Sequence, residues 1–180
     1  MQKELPIVSK VDDIVSAARE KRRLIVTAPT GSGKSTKLPQ ILLDSGSFAE
    51  QIVVLEPRRL AARMLARRVA SERGCSVGEE VGYQVRFDNK TSSATKIAYV
   101  TEGLLLRRML AKPDLSGISA LIFDEFHERN LESDLTLALA KALQENSRPD
   151  LTLLVTSATI AVDPICEYLG SCPMIQIDGR

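Results

Sequence analysis

The stretch Leu24-Ile25-Val26-Thr27-Ala28-Pro29-Thr30-Gly31-Ser32-Gly33-Lys34-Ser35-Thr36 joins a short apolar run to an amphipathic segment. This pattern predicts a buried strand, a glycine-rich turn and the first turn of a helix. Gly31 and Gly33 permit backbone conformations that side chains disfavour, so successive N–H groups can converge at the positive end of the helix. Lys34 would face the β- and γ-phosphates and Ser35 would offer a hydroxyl to Mg²⁺. We therefore predict a phosphate-binding loop.

The predicted nucleotide contacts lie in this loop: Thr30, Gly31, Ser32, Gly33, Lys34, Ser35 and Thr36. The usual pattern has glycine five positions before Gly33, and this chain has Ala28 there. A flexible surface turn is the alternative interpretation of Gly-Ser-Gly-Lys. That alternative leaves unexplained why the turn joins an apolar run to an amphipathic segment, so the phosphate loop is favoured.

The composition is that of a soluble globular domain. The 180 residues are 44% hydrophobic and 26% charged, with a formal net charge of +1 that neither favours nor excludes a nucleic-acid partner. No run of residues resembles a signal peptide or a membrane span, so we expect no membrane partner. Cys75, Cys166 and Cys172 are odd in number and lack metal-ligand spacing. We expect buried free thiols in a cytoplasmic protein.

Short β-rich runs alternate with helical patterns along the chain, which predicts an α/β fold with a mostly parallel sheet and helices on both faces. The predicted strands are 24–28, 52–56, 97–101, 120–124, 151–156 and 174–177, and the predicted helices are 11–21, 34–43, 58–73, 102–111 and 132–144. Ligands of such sheets bind beyond the carboxyl ends of the strands, so residues at those ends are the first functional candidates.

A second candidate site follows the apolar run 121–123, where the sequence continues Asp124-Glu125-Phe126-His127. Asp124, at a strand end, can hold the Mg²⁺ carried by Ser35, and Glu125 is placed to activate a water that attacks the γ-phosphate. Ser35, Asp124 and Glu125 are therefore the candidate metal ligands, and Lys34 and Glu125 the candidate catalytic residues. The alternatives are a helix N-cap for the paired acids and a structural, hydrogen-bonded imidazole for His127.

The phosphate loop together with Asp124-Glu125-Phe126-His127-Glu128-Arg129 resembles the DEAH-box branch of superfamily 2 helicases. Three further segments agree with that family in order and spacing. Residues 56–62 resemble its first nucleic-acid motif, Thr101-Glu102-Gly103 its second, and Ser157-Ala158-Thr159 its coupling motif, to which His127 would connect. Phe126 in the box and Glu56 before Pro57 resemble the bacterial HrpB-type helicases in particular.

The resemblance covers nearly the whole chain and implies a RecA-like fold that uses ATP and Mg²⁺ to drive movement along RNA or DNA. It also implies a second RecA-like lobe that supplies an arginine finger. We therefore expect residues 1–180 to form a single ATP-binding domain, the first RecA-like lobe, with the second lobe as a partner outside this chain.

The helix after Pro57 is rich in arginine. At 100° per residue, Arg59, Arg63 and Arg67 form a polar stripe, and we predict an apolar face made by Leu60, Ala61, Met64 and Leu65. Arg68 projects onto this predicted apolar face. Its stem could lie along the protein surface, or, as the resemblance implies, its guanidinium could stack on the nucleotide base.

Single-stranded RNA or DNA would be held through its phosphate backbone, because seven Phe and Tyr and no Trp are too few for a base-stacking platform. The predicted contacts are Arg58, Arg59 and the turn Thr101-Glu102-Gly103, where a helix N-terminus can receive a phosphate. Arg86 resembles a family hook that touches the strand. A solvated arginine on an edge β-element is the alternative for Arg86.

Two other function classes fit these residues less well than a helicase lobe. Another phosphate-loop enzyme is disfavoured because Asn89-Lys90-Thr91-Ser92 lacks the acid of the GTPase base-reading motif, and Leu115-Ser116-Gly117-Ile118 lacks the ABC-type signature glycines. A nucleotide-gated scaffold without turnover would not need both Lys34 and Glu125. Nucleic-acid-stimulated ATP hydrolysis separates these classes.

Overall fold

An eight-stranded, mostly parallel sheet forms the centre of the protein, in the spatial order β4-β3-β5-β2-β6-β7-β1-β8. The computed structural model describes residues 5–158 and 162–178. The strands are β1 (Arg23–Thr27), β2 (Gln51–Glu56), β3 (Val81–Val85), β4 (Asp88–Lys90), β5 (Ile97–Thr101), β6 (Ile118–Phe123), β7 (Thr152–Ser157) and β8 (Met174–Gln176). Only the β3–β4 pair is antiparallel among the pairings of these strands.

Helices cover both faces of the sheet, as the alternation of apolar runs and helical patterns predicts. They are α1 (Val11–Lys21), α2 (Lys34–Asp44), α3 (Arg59–Arg73), α4 (Glu102–Ala111), α5 (Leu131–Asn146) and α6 (Asp163–Tyr168), with short 3-10 turns at Pro6–Lys10 and Phe126–Glu128. One buried apolar cluster packs α1, α2 and α3 on one face. A second packs α4, α5 and α6 on the other. The predicted fold class is confirmed.

The apolar face predicted for α3 is wrong. Leu60 and Met64 are 67% and 59% exposed, and the buried residues are Ala62, Ala66, Val69 and Ala70. The helix packs closely on β3 and β5, so small side chains occupy the contact and the longer ones project outward. Arg68 therefore lies on an exposed face, and its position needs no special explanation.

Cys75, Cys166 and Cys172 are free, as expected, but only Cys172 is buried and the other two are half-buried. Among the described residues, none of the helices is both long and apolar enough to cross a membrane.

The β3–β4 hairpin depends on close backbone approach at Gly82. A methyl group on Gly82 would lie 2.2 Å from the Lys90 carbonyl oxygen of the neighbouring strand, which a rigid backbone cannot accommodate. A methyl group on Gly103, in the first turn of α4, would meet only the carboxylate of Glu132, which is the flexible end of a side chain. Gly103 therefore serves as a control for Gly82, because the same substitution meets a flexible side chain at Gly103 and a rigid backbone at Gly82.

We expect Gly82→Ala to lower the free energy of unfolding by about 1–3 kcal/mol, the usual cost of overpacking a site that cannot relax. Gly103→Ala should cause no loss, because alanine is the better helix former and Glu132 can turn aside. Urea unfolding followed by circular dichroism measures both variants. Equal stability of the Gly82→Ala variant and the wild type would contradict the assignment of a tight contact at Lys90.

Candidate nucleotide and nucleic-acid sites

The predicted phosphate loop connects β1 to α2 at the carboxyl edge of the sheet. Gly31 and Gly33 have φ angles of 78° and 99°, the left-handed region that glycine adopts without strain. A methyl group on Gly33 would also lie only 3.0 Å from Leu5 Cδ1 and 3.2 Å from Ile7 Cγ2, so apolar side chains support the loop from outside. Glycine at position 33 therefore meets a conformational and a steric requirement together.

Lys34 is 3% exposed, and its ammonium lies over the loop. Its Nζ donates hydrogen bonds to the carbonyl oxygens of Ala28 (2.6 Å) and Pro29 (3.1 Å), and lies 3.9 Å from Glu125 Oε1. The loop itself is joined to β7, because the Ala28 N–H donates to the Ser157 carbonyl at 3.1 Å. Lys34 and Glu125, predicted from separate motifs, thus face one another across the carboxyl ends of β1 and β6.

Asp124 follows β6 directly and is 2% exposed. Its Oδ1 accepts a hydrogen bond from the Thr156 hydroxyl, and the Thr156 Oγ1 also accepts the Glu125 N–H at 3.2 Å. Thr156 therefore orients both acids. Sequence reasoning missed it, although its place just before Ser157 at a strand end was a usable signal.

Glu125 has φ of 49°, an uncommon left-handed conformation for a residue with a side chain. Its carboxylate lies 3.9 Å from Lys34 Nζ. Burial, followed by the nearby Asp124 charge, raises the pKa of Glu125, while Lys34 and His127 oppose that shift. A carboxylate with a raised pKa is better suited to accept a proton from water.

Glu56 is a third buried acid at this edge, and its role was not foreseen. It ends β2, beside β6, and burial together with the Asp124 carboxylate raises its pKa to about 10. The protonated carboxyl hydrogen-bonds to Asp124. At neutral pH, Glu56 is therefore a neutral donor beneath Asp124, which avoids burying two charges together.

The oxygens at this edge fit a magnesium ion that also binds phosphate. Asp124 Oδ2 and the Ser32 hydroxyl are buried, and neither has a hydrogen-bond partner among the N–H, hydroxyl and carbonyl groups of the described residues. Ser35, at the start of α2, is held by a hydrogen bond from the Tyr99 hydroxyl to its carbonyl (2.8 Å). Within residues 5–158 and 162–178, no three His, Cys, Asp or Glu side chains form a metal site by themselves. Hydroxyl and carboxylate oxygens completed by phosphate oxygens are typical of Mg²⁺.

His127 connects the box to the segment after β7. Its Nδ1 accepts the Ala158 N–H at 3.3 Å and lies 3.2 Å from Glu125 Oε2. Ser157 ends β7 and is buried. Thr159, the last residue of the predicted coupling motif, lies outside the described residues. The structure thus brings His127, Ser157 and Ala158 to one place beside Glu125.

Arg68 is connected to the first turns of α2 by Glu72, an acid that residues of both helices contact. Its Nε donates to Glu72 Oε1 at 2.6 Å, and Glu72 Oε2 accepts from Lys37 Nζ at 2.8 Å and from Gln40 Nε2 at 3.0 Å. These hydrogen bonds lower the pKa of Glu72 to about 2 against the opposing effect of burial. Arg68 is therefore an exposed cation held near the helix that begins at Lys34.

The predicted nucleic-acid residues lie at the other half of the same edge. Arg86 follows β3, Thr101 ends β5, and Arg58 follows β2, and these three strands are consecutive in the sheet. Arg58, Arg59 and Arg86 are exposed. Arg86 stacks over the Phe87 ring at 4.7 Å in the tip of the β3–β4 hairpin. We call the half of the edge at β3, β5 and β2 the nucleic-acid side and the half at β6, β7 and β1 the nucleotide side, after the predicted residues that lie in each half.

Glu102 begins α4 and makes contacts inside the protein that the sequence did not indicate. Its side chain is buried and accepts hydrogen bonds from Asn130 Nδ2 (2.8 Å) and the Ser133 hydroxyl, which ties α4 to the start of α5. Thr101 and Gly103, on either side of Glu102, are half-buried. Any contact that Glu102 makes with a nucleic acid would therefore be through its backbone.

The fold and the arrangement of Lys34, Asp124 and Glu125 define a phosphate-loop nucleotide-binding domain. A family model described as DEAD/DEAH box helicase matches residues 11–167. The chain belongs to the DEAD/DEAH box helicase family, which confirms the resemblance found in its motifs.

Individual relatives agree with this assignment. The chain is 40% identical to the probable ATP-dependent RNA helicase DHR2 of Saccharomyces cerevisiae over 183 residues, covering all of this chain and 25% of that protein. It is 42% identical to the human probable ATP-dependent RNA helicase DHX40, covering 97% of this chain and 23% of that protein. The crystal structure of the Escherichia coli DExH-box NTPase HrpB superposes with a TM-score of 0.96 at 40% identity, covering the whole of this chain and 22% of HrpB. The chain thus spans about a quarter of the length of these relatives.

The raised pKa of Glu56 makes a pH-dependent prediction. The unfolded chain releases the Glu56 proton near pH 4.5 and the folded chain near pH 10, so stability should fall as pH rises between these values. Glu56→Gln removes that ionisation and keeps a donor toward Asp124. We expect the variant to gain stability over the wild type by up to about 1.4 kcal/mol per pH unit above pH 5, with no gain below pH 4. Urea unfolding from pH 4 to pH 9 measures this. A difference that does not change with pH would show that Glu56 is ionised in the folded protein.

Proposed function

We propose that this chain is the nucleotide-binding motor lobe of an ATP-dependent helicase, which hydrolyses ATP with Mg²⁺ to move along a nucleic acid. The observation that supports this most directly is the convergence of the phosphate loop, Lys34, Asp124 and Glu125 at one edge of the sheet. The loop residues Thr30–Thr36 would bind the phosphates, with Lys34 neutralising their charge. A scaffold that only binds nucleotide would not require a carboxylate with a raised pKa opposite Lys34.

Each acid has a distinct part in this proposal. Ser35 and Asp124 would hold Mg²⁺, with Glu125 close enough to contribute, and the ion when bound would neutralise charge on the transferred phosphoryl group. Glu125 would orient the attacking water and accept its proton, with Thr156 holding its backbone in place. His127, Ser157, Ala158 and Thr159 would transmit the state of this site to the nucleic-acid side.

The nucleic acid would lie along β3, β5 and β2, with its phosphates at Arg58, Arg59, Arg86 and the turn Thr101-Glu102-Gly103. These contacts carry no base information, so binding would be independent of sequence. Relatives named as probable RNA helicases favour RNA as the strand. A second RecA-like lobe would complete the nucleotide cleft with an arginine finger, a contribution of about 10³ to 10⁵ in rate in related systems.

Two substitutions separate hydrolysis from binding. In the protein that joins this chain to its second lobe, Glu125→Gln should abolish RNA-stimulated ATP hydrolysis and leave ATP affinity nearly unchanged, because it preserves shape and removes the proton acceptor. Lys34→Ala should instead weaken ATP binding. Steady-state phosphate release and calorimetric titration measure the two effects. Wild-type turnover by the Glu125→Gln variant would refute the catalytic assignment.

We propose that the Arg68 guanidinium stacks on the nucleotide base. It would then give up its hydrogen bond to Glu72, which would keep those from Lys37 and Gln40. Arg68→Ala should then weaken binding of ATP and GTP by about 1 kcal/mol each and leave binding of inorganic triphosphate unchanged. Arg67→Ala removes the same charge from the next exposed position of α3 and serves as the control. Calorimetry with the three ligands decides the matter. An Arg68→Ala variant that binds ATP as well as the wild type, or that loses affinity for ATP alone, rules out stacking.

A further inference from the structure

One ion pair joins the two halves of the sheet edge. Arg58 follows β2, the last strand of the nucleic-acid side, and Glu128 ends the 3-10 turn after β6, the first strand of the nucleotide side. Arg58 Nη2 lies 2.8 Å from Glu128 Oε1. The residue predicted to hold a phosphate is therefore occupied by a carboxylate of the box segment.

Arg58 can exchange the Glu128 carboxylate for another anion with little loss of stability. The Arg58 side chain is 71% exposed, and ion pairs at such sites contribute little net stability. A guanidinium binds a phosphate with the same planar donors that it offers a carboxylate. A phosphodiester arriving at Arg58 would therefore compete with Glu128 directly.

Glu128 is also joined through the backbone to Glu125, the proposed catalytic base. Its N–H donates to the Glu125 carbonyl at 2.9 Å, closing the single turn Phe126–Glu128. His127, in the same turn, contacts both Ala158 and Glu125. A change of partner at Glu128 thus acts on the turn that directly follows Glu125.

The same segment covers a second predicted phosphate position. The Glu132 carboxylate lies directly against the Gly103 backbone, where an added methyl group would be 2.7 Å from Glu132 Oε2. Asp134, by contrast, pairs with Arg129 of its own segment at 2.8 Å and contacts neither predicted position.

We propose that Glu128 is an internal competitor of the nucleic-acid phosphate for Arg58, so that strand binding exchanges the carboxylate for a phosphate and frees the turn that carries Glu125. This inference rests on the proposed function, in which Arg58 holds the strand. Glu128 is thus a positioning residue that acts through Arg58. It makes no contact with the reacting atoms.

Binding of a fluorescent 12-residue oligouridylate, and of its DNA counterpart, to the 180-residue chain tests this by anisotropy across 25 to 200 mM salt. Glu128→Gln should tighten binding about two- to fivefold at low salt, the range expected for removing one exposed ion-pair competitor. Asp134→Asn removes the same charge from the same segment and should change affinity less than Glu128→Gln. Arg58→Ala should weaken binding and reduce the slope of log affinity against log salt by about 0.7.

The double variant Arg58→Ala/Glu128→Gln is decisive. If Glu128 acts through Arg58, the double variant should bind no more tightly than Arg58→Ala alone. A gain that persists without Arg58, or an equal gain from Asp134→Asn, would show a general charge effect and overturn the inference while leaving the nucleic-acid site intact. An unchanged affinity on Arg58→Ala, or no binding by the wild type, would instead refute the proposed strand contact and this inference with it.

Discussion

Burial of carboxyl groups at the junction of β2, β6 and β7 is the constraint on which the site depends. Glu56, Asp124 and Thr156 meet there below the surface, and two adjacent negative charges in such a place would be strongly unfavourable. Protonation of Glu56 removes one of these charges, and the Thr156 hydroxyl donates a hydrogen bond to the other acid, Asp124. Asp124 consequently has one oxygen oriented by the Thr156 hydroxyl, while Glu125 lies opposite Lys34.

The order of the strands places the predicted nucleotide residues and the predicted strand-binding residues on neighbouring parts of one sheet edge. Because β2 and β6 are neighbours, the residues that follow them lie side by side although they are about 70 positions apart in the chain. Glu56 meets Asp124 at the buried level of this boundary, and Arg58 meets Glu128 at its surface. In the proposed function, nucleotide chemistry and strand binding would therefore be connected at two levels, through the Glu56–Asp124 contact and through the Arg58–Glu128 ion pair.

Much of this arrangement could be predicted from the sequence, because short-range patterns determine it. The loop, the acids after β6 and the alternation of strands and helices each follow from residues close together in the chain.

The buried face of α3 could not be predicted in this way. Its contact with β3 and β5 is so close that alanine is preferred there over leucine or methionine, and only the tertiary structure reveals that spacing. The side-chain contacts of Glu102 could not be predicted for a similar reason, since its partners Asn130 and Ser133 lie at the start of another helix. Glu56 was recognised as part of a motif, but its buried contact with Asp124 depends on which strands are adjacent.

The apolar support of Gly33 bears on how tightly a nucleotide can be held. Leu5 and Ile7 pack against the outside of the loop, and hydrogen bonds from Lys34 fasten its inner carbonyl groups. A loop ordered by its own protein contacts loses little conformational entropy when a ligand arrives, so more of the interaction energy remains as affinity. If the loop binds phosphates as proposed, Leu5 and Ile7, which precede α1, would contribute to nucleotide affinity without touching the nucleotide.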